Sequence, residues 1–205
     1  AGILDQPSLY SLSIDPGLKT TGFCLINYRT KEVILKTLLN DEAGLSVDFT
    51  ENFLMAVEQV KRYKQAVLTL DQSFIFKGCE IVLERSVYNP EFSFSIGLNT
   101  FLGVLVNSLI MDLGVKSVLL LPPRIPNYFL QTNKKIKNTQ IKVWIKHFLP
   151  TFYAACDSPH SMDALLLSVF ANYKFYQDNY SVDVRIPKFD LLLKELNEDK
   201  EYGVY

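Results

Sequence analysis

Between Leu9 and Leu38 three β-rich runs follow one another with almost no chain between them, and that spacing restricts the fold more than any other feature of the sequence. Leu9 to Ile14 stops at Asp15-Pro16-Gly17, where proline fixes φ and glycine relieves the backbone. The first strand therefore delivers Asp15 to its carboxyl end. Thr20 to Asn27 (TTGFCLIN) and Glu32 to Leu38 (EVILKTL) are joined by Tyr28-Arg29-Thr30-Lys31, a connection of hairpin length. Strands joined this tightly pair antiparallel, because a parallel return needs a crossover of a dozen residues or more. A three-stranded meander is expected to open the chain.

The pattern then changes period. From Thr50 to Leu70, Phe53, Leu54, Val57, Val60, Ala66, Val67 and Leu70 recur as on a helix. Cys79 to Leu83 (CEIVL) reads as a compact strand closing on Glu84, Phe92 to Leu113 as a helix, and Val115 to Leu121 as a strand stopped by Pro122-Pro123. Asn138 or Thr139 caps a helix through Leu149, and Ser158, with Pro159 at the first helical position, starts the last long one. The order β-β-β-α-β-α-β-α-α implies an α/β fold with a five-stranded mixed sheet, a meander continued by crossovers and flanked by helices. A length of 205 residues suits one such domain, expected over residues 1–180, with 181–205 as an acidic C-terminal extension.

No apolar run reaches the ~18 residues of a membrane span. Ala1 to Ser8 lacks the basic and apolar regions of a secretory signal, so an intracellular, soluble protein with no membrane partner is expected. Cys24, Cys79 and Cys156 stand far apart without a C-x-x-C pair and read as buried thiols. The net charge of −1 conceals a segregation. From Leu113 to Cys156 there is no Asp or Glu, while Lys116, Arg124, Lys134, Lys135, Lys137, Lys142 and Lys146 give a formal +7. A stretch of that kind fits a polyanion, with Thr132, Asn133, Asn138 and Thr139 as neutral phosphate donors.

Asp15 and Glu84 both end apolar strands, where a charge is expensive unless it meets a cation or solvent. In SPHSMDALLLSVF, His160 and Asp163 are three apart at the start of a helix and share a face. Each acid alone is readily accounted for, as a solvated strand end or a helix N-terminus favoured by the dipole. Together, hard oxygen ligands from Asp15, Glu84 and Asp163 suit Mg²⁺, with Mn²⁺ as a substitute and His160 as a further ligand or proton carrier.

The segments IDPGLKTTGFCLI at 14–26, VLERS at 82–86 and SPHSMDALLLSVF at 158–170 resemble the three acidic motifs of the RuvC-type Holliday-junction resolvases, members of the RNase H-like nuclease superfamily. The likeness runs over roughly residues 8–175. It implies an RNase H-like sheet, a homodimer, and Mg²⁺-dependent paired nicking of four-way DNA junctions. It also implies catalytic and metal-holding roles for Asp15, Glu84, His160 and Asp163. DNA contacts would fall to Arg85, Tyr88, Arg124, Lys134, Lys135, Lys137 and Lys142, with Tyr88 nearest to the aromatic that probes the junction centre. The helix from Phe92 to Leu113 corresponds to the family's dimer helix, with Phe94, Leu98, Phe101, Leu102, Leu105 and Leu109 as its apolar positions. Two rivals remain at this level. IDPGLKTTGF also resembles the first phosphate loop of ATP-binding proteins of the actin, Hsp70 and sugar-kinase type, although the chain holds no second copy of the sheet. The other rival is a catalytically silent nucleic-acid-binding module.

Overall fold

A computed structural model describes residues 7–40, 48–84, 93–121, 125 and 138–180. The expected extension 181–205 lies outside the described residues, as do Arg85, Tyr88, Arg124, Lys134, Lys135 and Lys137. The elements are β1 (Tyr10–Asp15), β2 (Thr20–Asn27), β3 (Glu32–Leu39), α1 (Phe49–Leu70), β4 (Cys79–Glu84), α2 (Ser93–Asn107), β5 (Ser117–Leu121), α3 (Asn138–Phe148), α4 (Pro150–Ala155), α5 (Pro159–Ala171) and α6 (Tyr173–Tyr180).

The five strands form one sheet in the order β3-β2-β1-β4-β5. β1 and β2, and β2 and β3, run antiparallel, as the short connections require. β1 with β4 and β4 with β5 run parallel, because a helix separates each from its predecessor in the chain. The expected mixed sheet flanked by helices is the observed one.

Alternation along the strands divides the core into two layers. Leu12, Ile14, Phe23, Leu25, Ile81 and Leu83 pack with Ala56, Val60, Tyr63 and Val67 of α1 and Phe101 and Leu105 of α2. Cys24, Ile26, Val82 and Leu121 pack on the other face with Trp144 and Ile145 of α3, Phe152 of α4 and the apolar run of α5. Burying a side chain of this size stabilises by about 1.5–3 kcal/mol, so neither layer is dispensable.

Local differences from the sequence reading have identifiable causes. The helix read as Phe92 to Leu113 is α-helical over Ser93–Asn107 and widens into a π turn over Ser108–Asp112. Gly114, at φ 61°, then turns the chain, and Lys116 N–H bonds to the carbonyl of Cys79 at 3.0 Å, so β5 begins at Ser117 and not at Val115. After Phe148 the chain restarts at Pro150 as the short helix α4, and α5 ends at Asn172, whose side chain donates to Ser11 and to the carbonyl of Ser168. Cys24 and Cys79 are buried as expected, while Cys156 is half-buried and not enclosed. Among the described residues no helix is long and apolar enough to cross a membrane. Of the apolar positions of α2 and the π turn after it, Phe101, Leu105 and Leu109 are buried against the protein's own sheet.

Candidate metal centre at the carboxyl edge of the sheet

On β1, Tyr10, Leu12 and Ile14 face α1 and α2, so alternation puts Ser11, Ser13 and Asp15 on the α5 side. On β4, Ile81 and Leu83 face α1 and α2, so Val82 and Glu84 take the α5 side. Ile14 lies opposite Leu83 in the parallel register, and one residue further along each strand the two acids end side by side. Two carboxylates are thereby directed from neighbouring strand ends toward one helix.

That helix begins with a complete capping box. Ser158 accepts from Ser161 N–H at 3.2 Å, Ser161 Oγ lies 3.2 Å from Ser158 N–H, and Pro159 occupies the first turn. A second set of bonds ties this start to the outer strand β3: Thr37 N–H donates to Asp157 Oδ2 at 3.3 Å, and the Thr37 hydroxyl meets Asp157 and Ser158. Burial raises Asp157, but the bonds from Thr37 and Ser161 outweigh it and hold its carboxyl below the usual range. A Cβ on Gly22, the residue paired with Asp15 across β1 and β2, would lie 2.0 Å from the carbonyl oxygen of His160. Glycine inside a strand marks a close approach of backbone, and here it admits the first turn of α5 onto the strand pair that bears Asp15.

His160 Nδ1 then lies 3.0 Å from Asp15 Oδ2. That bond raises the imidazole above its ordinary pKa, against partial desolvation, and orients Nε2 away from Asp15. Burial, with the charges of Asp15 and Asp163, pushes Glu84 up to about 7. Asp163 rises to about 7 through burial and Asp15, with His160 opposing. Among the described residues neither Glu84 nor Asp163 has a hydrogen-bond or ion-pair partner. No three His, Cys, Asp or Glu side chains among the described residues are drawn together tightly enough to enclose an ion. The arrangement is a cluster of mutually repelling, partly desolvated carboxylates whose charge and oxygen chemistry fit a hard divalent cation.

Of the DNA-contacting candidates within the described residues, Lys142 lines a cleft with Ile141, Pro159, Met162 and Asp163, beside the acidic cluster. Lys116 lies at the opposite edge, where its Nζ bonds to Ser8 Oγ at 3.0 Å, so the basic segment does not converge as a whole. Gly22, Thr37 and Asp157 are further residues of the site, outside the candidates read from the sequence. The glycine within an otherwise apolar strand was the available signal for the first. The other two carry none, because their pairing spans 120 residues.

No family model and no curated protein matches this sequence. Among solved structures the chain is similar to T. thermophilus RuvC, determined in complex with a Holliday junction substrate. The TM-score is 0.50 at 15% identity, over 83% of this chain and 95% of that one. The fold is RNase H-like.

Proposed function

We propose that the chain is a divalent-metal-dependent endonuclease that cuts four-way DNA junctions by paired nicking as a homodimer. What supports this reading is that Asp15, Glu84 and Asp163 face one another at the carboxyl edge of an RNase H-like sheet, with the carboxyls of Glu84 and Asp163 raised to about 7 by burial and the charge of Asp15. The structural likeness to a junction-bound RuvC supports the substrate class. Asp15, Glu84 and Asp163 would hold Mg²⁺, or Mn²⁺ in its place, which when bound supplies an activated water and offsets charge on the scissile phosphate. Asp15 orients the His160 ring through Nδ1, leaving Nε2 to carry a proton at the cleft. Lys142 offers a point charge to a phosphate at the rim, and Lys134, Lys135 and Lys137 would add charge for the DNA backbone.

The test is cleavage of a four-way junction, a linear duplex, a flap and an RNA–DNA hybrid, each with and without Mg²⁺. Symmetric Mg²⁺-dependent nicks in the junction are expected, and Asp15→Asn, Glu84→Gln and Asp163→Asn should remove them while junction binding persists. Junction binding without cleavage by the unaltered protein would leave the silent binding module in its place. A mass near 23 kDa in solution with uncoupled nicks would remove the dimer.

A further inference from the structure

We propose that Gln59 and Tyr63 of α1 are positioning residues that hold the Asp15 turn in its metal-binding form, an inference that rests on the nuclease reading. The two are one helical turn apart and project from the same side of α1 as Ala56, Val60 and Val67, which pack on the sheet. An apolar pair would serve that packing as well. Instead Gln59 is 1% exposed and Tyr63 4%, and the polar ends of both reach the backbone immediately after Asp15.

Tyr63 OH lies 3.1 Å from the Gly17 carbonyl and accepts from Gly17 N–H at 3.3 Å. Gln59 Nε2 donates to the Gly17 carbonyl at 3.3 Å and to that of Leu18 at 3.2 Å. Its Oε1 accepts from Asn40 Nδ2 at 3.0 Å, so both ends of the Gln59 amide are bonded. Asn40 is in turn fixed by its N–H to the Lys19 carbonyl at 2.7 Å. Thr21 completes the set, with its hydroxyl against that of Tyr63 and 3.0 Å from the Gly17 carbonyl.

Buried donors and acceptors left unpaired cost about 1–3 kcal/mol each, so the bonds from Gln59, Tyr63 and Thr21 resist movement of the turn, although Asn40 Oδ1 at the end of the network has no partner among the described residues. Glycine is what allows the turn to close this tightly, because a Cβ at Gly17 would meet the Thr20 carbonyl oxygen at 2.2 Å. Asp15 is thus constrained from two sides: its carboxylate by His160 of α5, and the backbone that follows it by α1. Among the described residues the bonds of Gln59 and Tyr63 go to the turn, Thr21 and Asn40 and not to Asp15, Glu84, His160 or Asp163, so each acts through the turn.

Tyr63→Phe deletes the hydroxyl while keeping the edge contacts of its ring with Phe23 and Phe101. Gln59→Met deletes both amide donors at similar volume. The full chain of each variant is compared with the unaltered protein by thermal melting, junction affinity in Ca²⁺, Mn²⁺ affinity by calorimetry, and amide exchange of the 16–20 segment in metal-free buffer. Single-turnover junction cleavage against Mg²⁺ concentration completes the set. Unchanged junction affinity, several-fold weaker Mn²⁺ binding, faster exchange confined to the turn and a cleavage rate reduced roughly tenfold are expected. A lowered melting temperature with Mn²⁺ affinity and maximal rate both within twofold of the unaltered protein would overturn the inference and leave a structural role only. If Tyr63→Phe does not fold, Gln59→Met decides alone. An unaltered protein that neither binds Mn²⁺ nor cuts the junction overturns the nuclease reading, and this inference with it.

Discussion

Replacing Gly22 with alanine is the smallest change expected to dismantle the acidic cluster. The added Cβ would stand 2.0 Å from the carbonyl oxygen of His160, 2.3 Å from its carbonyl carbon and 2.8 Å from Ser161 N. All three are backbone atoms, so no side chain can rotate out of the way. Ordinary contact begins at 3.4 Å, and the first turn of α5 must therefore retreat by about 1.4 Å, or β2 must yield by as much. β2 is paired on both sides along its length, whereas the α5 start is tied to the sheet by side-chain bonds, Thr37 with Asp157 and Ser158 and His160 with Asp15, so the first turn of the helix is the part expected to move. That shift breaks the 3.0 Å His160–Asp15 bond and draws Asp163 from the strand acids. Overpacking of this kind costs about 1–3 kcal/mol, and a misplacement of about 1 Å at a reacting centre costs on the order of a hundredfold in rate. Single-turnover cleavage of a four-way junction at saturating Mg²⁺, well below the melting temperature of Gly22→Ala, separates the two effects. A variant that melts lower but cuts within threefold of the unaltered rate would show that α5 does not need its present seat.

Three further outcomes follow from the same geometry. His160→Ala should slow cleavage less than loss of any of the three carboxylates, with His160→Asp restoring part of the rate; a silent alanine variant would reduce the histidine to a cap neighbour. In metal-free buffer, Glu84 and Asp163 bind protons more tightly folded than unfolded, so stability should fall as pH rises from about 4 through about 7. His160 adds to the same trend, since its contribution is complete below the unfolded value of about 6.5 and is lost as pH passes its raised folded value. The carboxyls of Asp71 and Asp157, held low, lose their contributions only at more acid pH, so melting at pH 5 and pH 8 isolates the effect. A higher melting temperature at pH 5, flattened in Glu84→Gln and Asp163→Asn, is expected, and a rise toward pH 8 would refute it. Alanine at Lys134, Lys135 and Lys137 together should weaken binding to all junction sequences by a similar factor. It should also flatten the log K against log salt line by ~0.9 for each phosphate no longer neutralised, whereas weakening confined to one sequence would mean base reading.

The parts of this molecule that could be read in advance are those where local chemistry and the fold agree. Asp15 and Glu84 were visible as strand ends because an apolar run that stops at an acid is most simply a strand reaching the edge of its sheet, and α5 was marked by Ser158 and Pro159. The meander followed from connection lengths alone. What could not be read depends on distant partners. Gly22 is a weak strand residue until α5 lies across it, and Gln59 and Tyr63 look like interruptions in the apolar stripe of α1 until the Asp15 turn reaches them. The break at Asn172 likewise depends on Ser11, 161 residues earlier. The tertiary contact decides each case, and no window of sequence contains both halves of it.

The small residues of β1 and β2 show how the sheet accommodates the site at its edge. Ser11 and Ser13 are buried on the α5 side of the central strand, where β-branched apolar side chains would raise strand propensity and fill the layer. Among the described residues Ser13 Oγ has no partner there, a cost of about 1–3 kcal/mol. A methyl-rich strand would push α5 outward, as a Cβ at Gly22 would, and Asp163 would no longer face Asp15 and Glu84. Serine, serine and glycine keep the helix close, and the closeness is what leaves Glu84 and Asp163 desolvated and repelled. The repulsion at the edge and the unpaired hydroxyl of Ser13 therefore have one origin. Ser13→Ala, which removes the unpaired hydroxyl without adding volume, should therefore raise the melting temperature of the metal-free protein and leave α5 in place, whereas a bulkier side chain there should displace the helix and weaken the site.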